Sequence, residues 1–119
     1  MEIRSRDQAV PFTTDDGSTI RSLLDLSVAP VRNQSLAEAT LEPGQATVRH
    51  HHRAAEEIYY LVEGTGHMEV DGEKRDVRAG DAILIPPGAW HRIENTGDGP
   101  LRLLCACSPP YSPSDTYFS

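Results

Sequence analysis

The stretch VRHHHRAAEEIYY, residues 48–60, places three consecutive histidines shortly before two consecutive glutamates. Side chains alternate in direction along a β-strand, so His50 and His52 would face one way and His51 the other. Val48 shares the face of His50 and His52, which indicates that this face is the apolar, interior one. An imidazole in an apolar interior needs a hydrogen-bond partner or a metal ion. The stretch therefore predicts a strand that carries two interior histidines.

A second predicted strand follows the short turn at 53–55 and carries a carboxylate toward the same interior. Glu57 shares its face with Tyr59 and Leu61, and a carboxylate inside a barrel is costly unless it is paired or coordinated. Glu56 has the opposite parity and is expected in solvent, although a one-residue bulge would exchange the two glutamates.

His50, His52 and Glu57 are thus three closely spaced potential metal ligands, and His91 opens a later predicted strand, where it shares a face with Ile93 and Asn95. The histidines also fit two roles without a metal. Backbone carbonyls could satisfy His50 and His52, or the histidine triplet could be a basic surface patch. His51 and His67 fall among polar neighbours, and we expect both at the surface.

The rest of the chain indicates an all-β sandwich or barrel, because nine glycines and nine prolines fall between short alternating segments. The predicted strands are 20–26, 35–41, 46–52, 57–63, 66–70, 74–77, 82–85, 90–95 and 101–107. Asp71 and Gly72 predict a two-residue hairpin, since both turn positions favour a positive φ.

Length and charge limit the classes of protein that fit. The chain has 119 residues, which suits one domain, and its composition is typical of a soluble globular protein. A net charge of -7 argues against nucleic acid and anionic membranes as partners. We find no apolar run long enough to span a membrane and no secretory signal at the start, and we expect a cytoplasmic protein. Cys105 and Cys107 are expected to be reduced thiols that act as small buried hydrophobes, or a thiol pair beside the metal.

The predicted strand at 101–107 is apolar on both faces, so something must cover each face. Another subunit is the expected cover, although the N-terminal arm at 1–15 could serve instead.

Two motifs in the chain resemble those of the cupin family. The first spans 44–64 and fits Gly, five residues, His-x-His, four residues, Glu, six residues, Gly, with fixed positions at Gly44, His50, His52, Glu57 and Gly64. The second spans 80–95 and fits Gly, five residues, Pro-x-Gly, two residues, His, three residues, Asn, with fixed positions at Gly80, Pro86, Gly88, His91 and Asn95.

This resemblance implies a single cupin domain over residues 1–119, with an N-terminal arm at 1–15 and a C-terminal tail at 108–119. It implies a jelly-roll barrel, also called a double-stranded β-helix, and a homodimer. It also implies that one divalent transition-metal ion per chain (Fe, Mn, Ni, Zn, Co or Cu) is held by His50, His52, Glu57 and His91.

Cupins carry out many functions, so the resemblance leaves the activity open. We expect a metalloenzyme acting on a small oxygen-bearing substrate, with dioxygenase-like or isomerase/lyase-like chemistry. The alternative is a non-catalytic small-molecule binding or sensing module. Strand parity predicts that the pocket walls are Val48, Leu61, Met68, Val70 and Ile93, with no inward arginine cluster to bind phosphate. Tyr59 is the one inward titratable group beyond the ligands and is the candidate catalytic residue.

Overall fold

The computed structural model describes residues 1–119, and β-strands make up nearly all of its regular structure. Two short 3-10 helices lie at Arg6–Gln8 and Pro113–Asp115. The strands are β1 (Phe12–Thr13), β2 (Thr19–Leu24), β3 (Ser35–Leu41), β4 (His51–His52), β5 (Glu56–Glu63), β6 (Thr65–Val70), β7 (Glu73–Arg78), β8 (Ala82–Ile85), β9 (His91–Asn95), β10 (Leu101–Ser108) and β11 (Thr116–Tyr117). Neither 3-10 helix has the length or the apolar character that crossing a membrane requires.

The strands form two main layers. The large sheet has the order β1-β2-β3-β10-β5-β8, and the small sheet has the order β7-β6-β9. A separate pairing joins β11 to β4. Side chains from both layers fill one core, with Leu41, Leu61 and Leu103 from the large sheet and Met68 and Ile93 from the small one. This is the expected jelly-roll, or double-stranded β-helix, and the predicted fold class is confirmed.

The hairpin between β6 and β7 forms where the sequence predicts it. Val70 pairs with Glu73, so only Asp71 and Gly72 lie in the turn. Their φ angles are 47° and 85°, the left-handed values that a tight hairpin of this kind requires. Gly72 adopts this conformation without strain because it has no Cβ.

The predicted strand at 46–52 differs from the structure. Only His51 and His52 form a strand, and the preceding residues make isolated bridges at Ala46 and His50. Because the backbone is irregular here, strict alternation fails: Thr47 is buried and Val48 is exposed. The face assigned to Val48 from parity is therefore wrong.

The tail crosses the same end of the barrel as the histidines. Strand β11 pairs with β4, placing Thr116 beside His52. The Asp115 carboxylate accepts hydrogen bonds from the backbone N–H groups of residues 53, 54 and 55 at 3.0–3.2 Å. These contacts hold residues 112–118 against the turn that links β4 to β5.

Removing the Asp115 carboxylate should release this tail. In Asp115→Ala we expect the free energy of unfolding to fall by ~1–3 kcal/mol, because three backbone N–H donors lose a charged acceptor. Amide hydrogen exchange at residues 51–55 should accelerate in this variant, while the exposed control Asp98→Ala should match the parent chain. Unchanged exchange in Asp115→Ala would contradict an anchoring role for this carboxylate.

Candidate metal centre

Three histidines and one glutamate meet inside the barrel. His50 and His91 form an antiparallel bridge, His52 lies in β4 and Glu57 lies in β5. All four side chains are buried, and one ring nitrogen of each histidine lies within 4.8 Å of the others. Glu57 Oε1 is 3.5 Å from His52 Nε2 and 3.3 Å from His91 Nε2. The structure thus brings together all four residues that the sequence selects.

Backbone carbonyls fix the orientation of the imidazoles. The Nδ1 atoms of His50 and His91 lie 2.7 Å from the Val48 carbonyl and 3.0 Å from the Ala89 carbonyl. His52 Nδ1 lies 3.3 Å from the carbonyl of Asp115, in the tail. A carbonyl only accepts, so each Nδ1 donates a proton, and the neutral ring then directs the lone pair of Nε2 toward the shared centre.

Two atoms at this centre lack hydrogen-bond partners. Glu57 Oε1 and His91 Nε2 are both buried and both unpaired. When His91 donates through Nδ1, these atoms are two acceptors that face each other 3.3 Å apart. A cation between them would satisfy both. Three imidazoles and one carboxylate suit a divalent transition-metal ion, so the residues present fit such a group.

The electrostatics of the metal-free cluster favour a charged carboxylate. Burial raises the pKa of Glu57, but the neighbouring His52 and His91 outweigh this effect and lower the pKa to about 2. Burial lowers the pKa of His52, but Glu57 outweighs it and the net shift is upward. Burial and the neighbouring His91 lower the pKa of His50. Glu57 is therefore ionised, and its charge favours protonation of His52 in the metal-free chain.

A cysteine holds the second oxygen of the glutamate. Cys107 Sγ donates to Glu57 Oε2 at 3.2 Å, which leaves Oε1 directed at the histidines. Burial and the neighbouring Glu57 raise the pKa of Cys107 far above its ordinary value, so the thiol keeps its proton. Cys105 lies two residues earlier in β10, and both cysteines are free.

The expectation that Glu56 lies in solvent is confirmed, whereas the expectation that His51 lies at the surface is not. Glu56 is exposed and Glu57 is buried, so no bulge exchanges them. His51 does point away from the cluster, but the expected surface position is wrong because only 8% of it is exposed. Its ring lies between Trp90 and Tyr117, with centroid distances of 4.2 and 5.2 Å. Its outward strand parity could not reveal that the tail covers this face.

The predicted pocket walls need correction. Val48 is 49% exposed, while Leu61 and Met68 lie in the closed core and Val70 packs against that core. None of these four lines the cavity, whereas Ile93 does. Parity identifies inward side chains correctly for Leu61 and Met68 but does not distinguish the packed end of the barrel from the open one.

A cavity of about 380 Å³ adjoins the cluster. Its walls come from the inner face of the large sheet, the turn at 14–18 and the tail, including Phe118. Tyr59 lines it, but burial raises its pKa well above the ordinary value. The phenol therefore stays protonated, so this candidate catalytic residue suits the role of a hydrogen-bond donor and does not suit that of a general base.

The structure also places Asp16, a residue that the sequence did not single out, close to the cluster. Asp16 Oδ2 lies 4.0 Å from His50 Nε2. The backbone N–H of Val48 donates to the Asp16 carbonyl at 2.7 Å, which fixes the turn against the segment that leads to the histidines. The local sequence shows a turn but carries no signal for this long-range contact.

Comparisons with known proteins agree with the architecture. The family model for the Cupin domain matches residues 37–107. An uncharacterised protein of Methanocaldococcus jannaschii is 49% identical over 110 residues, covering 92% of this chain and 88% of that protein. The tetracenomycin polyketide synthase protein TcmJ of Streptomyces glaucescens is 32% identical over 93 residues, covering 78% of this chain and 62% of that protein. The solved structure of a predicted oxalate decarboxylase from Thermotoga maritima has a TM-score of 0.80 at 25% identity, covering 90% of this chain and 98% of that one.

Substitutions of the histidines should separate the inward rings from the outward one. His50→Ala and His91→Ala should each weaken metal binding by more than about 100-fold, because even a residue that only orients a ligand contributes 10–100-fold. His51→Ala should retain the metal. Elemental analysis after dialysis against a weak chelator provides the measurement, and equal metal loss in all three variants would contradict the assignment.

Metal uptake should release protons near neutral pH. A ligating imidazole must be neutral, and Glu57 raises the pKa of His52 in the metal-free chain, so uptake displaces the His52 proton. Affinity should fall as the pH drops through about 6.5. Glu57→Gln removes the cause of the raised pKa and should release fewer protons per ion. Calorimetry in two buffers with different ionisation enthalpies gives the number of protons released per ion. Equal numbers for the parent chain and Glu57→Gln would contradict the pairing of Glu57 with His52.

Proposed function

The chain belongs to the cupin family, and from this premise we propose that it is a metal-dependent enzyme whose ligands are His50, His52, Glu57 and His91. Its substrate is a small oxygen-bearing molecule that occupies the adjoining cavity. The observation that carries the proposal is the buried, unpaired pair of acceptors at Glu57 Oε1 and His91 Nε2. A cluster that served packing alone would not leave two acceptors facing each other without a proton or cation between them.

The size of the ligand set supports catalysis over a closed structural site. Four protein ligands around a six-coordinate ion leave two positions for other groups. A structural zinc site is usually closed by four ligands and is often built from cysteine thiolates. Here Cys107 keeps its proton and donates to Glu57, so it acts as a support for a ligand. Fe, Mn, Ni, Co, Cu and Zn all accept this donor set.

The metal, when bound, would polarise a substrate carbonyl or activate dioxygen. The chain's own residues perform the remaining tasks. Backbone carbonyls hold the imidazoles in one tautomer, and Cys107 holds Glu57 through one oxygen. The tail limits the access of water at the histidine end through Phe118, whose ring centroid lies 5.9 Å from that of His50.

The named relatives support small oxygen-rich substrates without selecting one reaction. One relative is a polyketide synthase protein, and one structural neighbour is a predicted oxalate decarboxylase. We propose oxygenase chemistry first and isomerase or lyase chemistry second, because a six-coordinate ion held by His50, His52, Glu57 and His91 would have room for both a substrate oxygen and dioxygen.

Substrate screening across metals tests this function. Protein loaded with Fe, Mn, Ni or Zn should convert at least one of four classes: 1,3-diketones, catechols, α-keto acids and free sugars. Turnover should fall at least ~100-fold in His52→Ala with the fold intact, because this variant loses a ligand, and should persist in the control His67→Ala. Oxygen uptake and chromatography of products are the measurements. If ligands bind but no turnover occurs with any of the metals, the enzyme proposal is refuted and the chain is a binding or sensing module.

We also propose that two copies of the chain pair through the outer face of the large sheet. Ile58, Tyr60 and Leu84 lie on this face and are 43%, 44% and 57% exposed. In the sheet Tyr60 pairs with Leu104, and Ile58 pairs with both Ala106 and Leu84, so the apolar side chains are contiguous. Contiguous apolar patches are uncommon on monomers, and a second copy that presents the same patch is the simplest cover.

A charge in this patch should prevent pairing. Leu104→Glu should convert a dimer into a monomer, because two carboxylates would be buried against apolar surface. Val10→Glu, at a position that is 81% exposed in the arm, is the control and should stay dimeric. Light scattering after size exclusion at micromolar concentration gives the mass. A monomeric parent chain would refute the pairing.

A further inference from the structure

We infer that the cavity selects an uncharged ligand bearing a hydroxyl group, and that Asp16 recognises this group by accepting a hydrogen bond from it. The inference rests on the proposed function, since the ligand is taken to enter beside the metal ligands. Three observations carry it: the signs of the charges that line the cavity, the unused oxygen of Asp16, and the apolar walls.

The ionised groups that line the cavity have one sign. Its carboxylates are Asp15, Asp16, Asp25 and Glu57, and no lysine or arginine lines it. All eleven lysines and arginines of the chain therefore lie elsewhere. Burial raises the pKa of Asp25, but hydrogen bonds from Ser27 and Ser22 outweigh it and the net shift is downward, so this carboxylate is ionised.

This distribution disfavours anions even with a divalent ion bound. Glu57 and Asp16 together balance two positive charges, and Asp25 adds a further negative charge in the same cavity. A carboxylate or phosphate ligand would then approach a site with no surplus positive charge and no arginine or lysine to pair with. Charge repulsion is strong where water is scarce, so an uncharged ligand is favoured.

Asp16 has one oxygen committed to the turn and one directed at the cluster. Its Oδ1 accepts from the hydroxyl of Thr14 and from the backbone N–H and hydroxyl of Ser18, the latter two at 2.9 and 2.7 Å. Its Oδ2 faces His50 Nε2 at 4.0 Å. His50 donates through Nδ1, so Nε2 offers no proton to Asp16. A hydroxyl of the ligand can supply the donor that Oδ2 lacks.

The remaining walls suit the apolar part of such a ligand. Small side chains of the large sheet, Ala37 and Ala39, leave the space open, and Leu103 and Ile93 line its inner end. A cavity of about 380 Å³ accommodates a molecule with one aromatic ring. The geometry therefore points to an aryl or alkyl hydroxy ketone, and it disfavours a dicarboxylate or a sugar phosphate.

Three probes of similar shape separate charge from hydroxyl recognition. They are α-hydroxyacetophenone, its methyl ether α-methoxyacetophenone, and the anion phenylglyoxylate. Binding to the Co(II)-loaded full chain is followed through the visible spectrum of the ion, which needs no turnover. The hydroxy ketone should bind about 10-fold more tightly than either of the other two probes. The methyl ether cannot donate the hydrogen bond to the charged Asp16, and phenylglyoxylate brings a negative charge into a cavity lined by carboxylates.

Asp16→Asn tests the assignment. The three donors around Oδ1 should hold the amide oxygen there, which turns the amide N–H₂ toward the ligand and replaces an acceptor with a donor. The hydroxy ketone should then lose its roughly 10-fold advantage, and phenylglyoxylate should gain a similar factor. Asp98→Asn removes an exposed carboxylate that does not line the cavity; it is the matched control and should keep the selectivity of the parent chain.

Each remaining outcome decides the matter. Equal binding of hydroxy ketone and anion by the parent chain, unchanged selectivity in Asp16→Asn, or binding of none of the three probes would overturn the inference. Loss of Co(II) from Asp16→Asn alone would make Asp16 a metal ligand and would overturn it as well. Failure of the parent chain to load Co(II) would instead refute the proposed function.

Discussion

Two reciprocal backbone hydrogen bonds join the segments that carry the ligands. The N–H of His50 donates to the His91 carbonyl at 3.1 Å, and the N–H of His91 donates to the His50 carbonyl at 2.8 Å. The two residues are forty-one positions apart in the chain, yet this bridge sets their Cα atoms opposite each other and lets both rings enter the same interior. Every other property of the cluster depends on this register, because a shift of one residue would turn one of the rings outward.

The cluster occupies an end of the barrel that apolar side chains could otherwise fill, which lowers the stability of the fold there. Four polar side chains are buried there, and two of their atoms lack partners. The fold compensates with backbone carbonyls that fix the rings and with a thiol that fixes the glutamate. Such support matters because a metal site loses affinity when its ligands can turn away.

The sequence predicted the regular parts of the molecule well. Strands β3 and β10 and the Asp71–Gly72 turn lie where alternation and turn chemistry place them, because those signals are local. The four clustered residues could also be identified from the sequence, because strand alternation and the two motifs at 44–64 and 80–95 point to them. Alternation failed for Val48 because the chain there makes isolated bridges without a continuous strand. The buried position of His51 depends on Tyr117 in the tail, and the place of Asp16 depends on its contacts with Val48 and His50. These partners are distant in the chain, so no local pattern reveals the contacts.

The wall of the cavity is built from both ends of the chain. Phe12 and Asp16, near the start of the chain, line it together with Tyr111 and Phe118, which come roughly a hundred residues later. A growing or partly folded chain therefore carries its histidines long before it can enclose them. Closing loops of this length has a high entropy cost, and contacts of such separation form slowly. The arm and the tail are therefore expected to enclose the histidines late in folding, after the sheets that carry the cluster have formed.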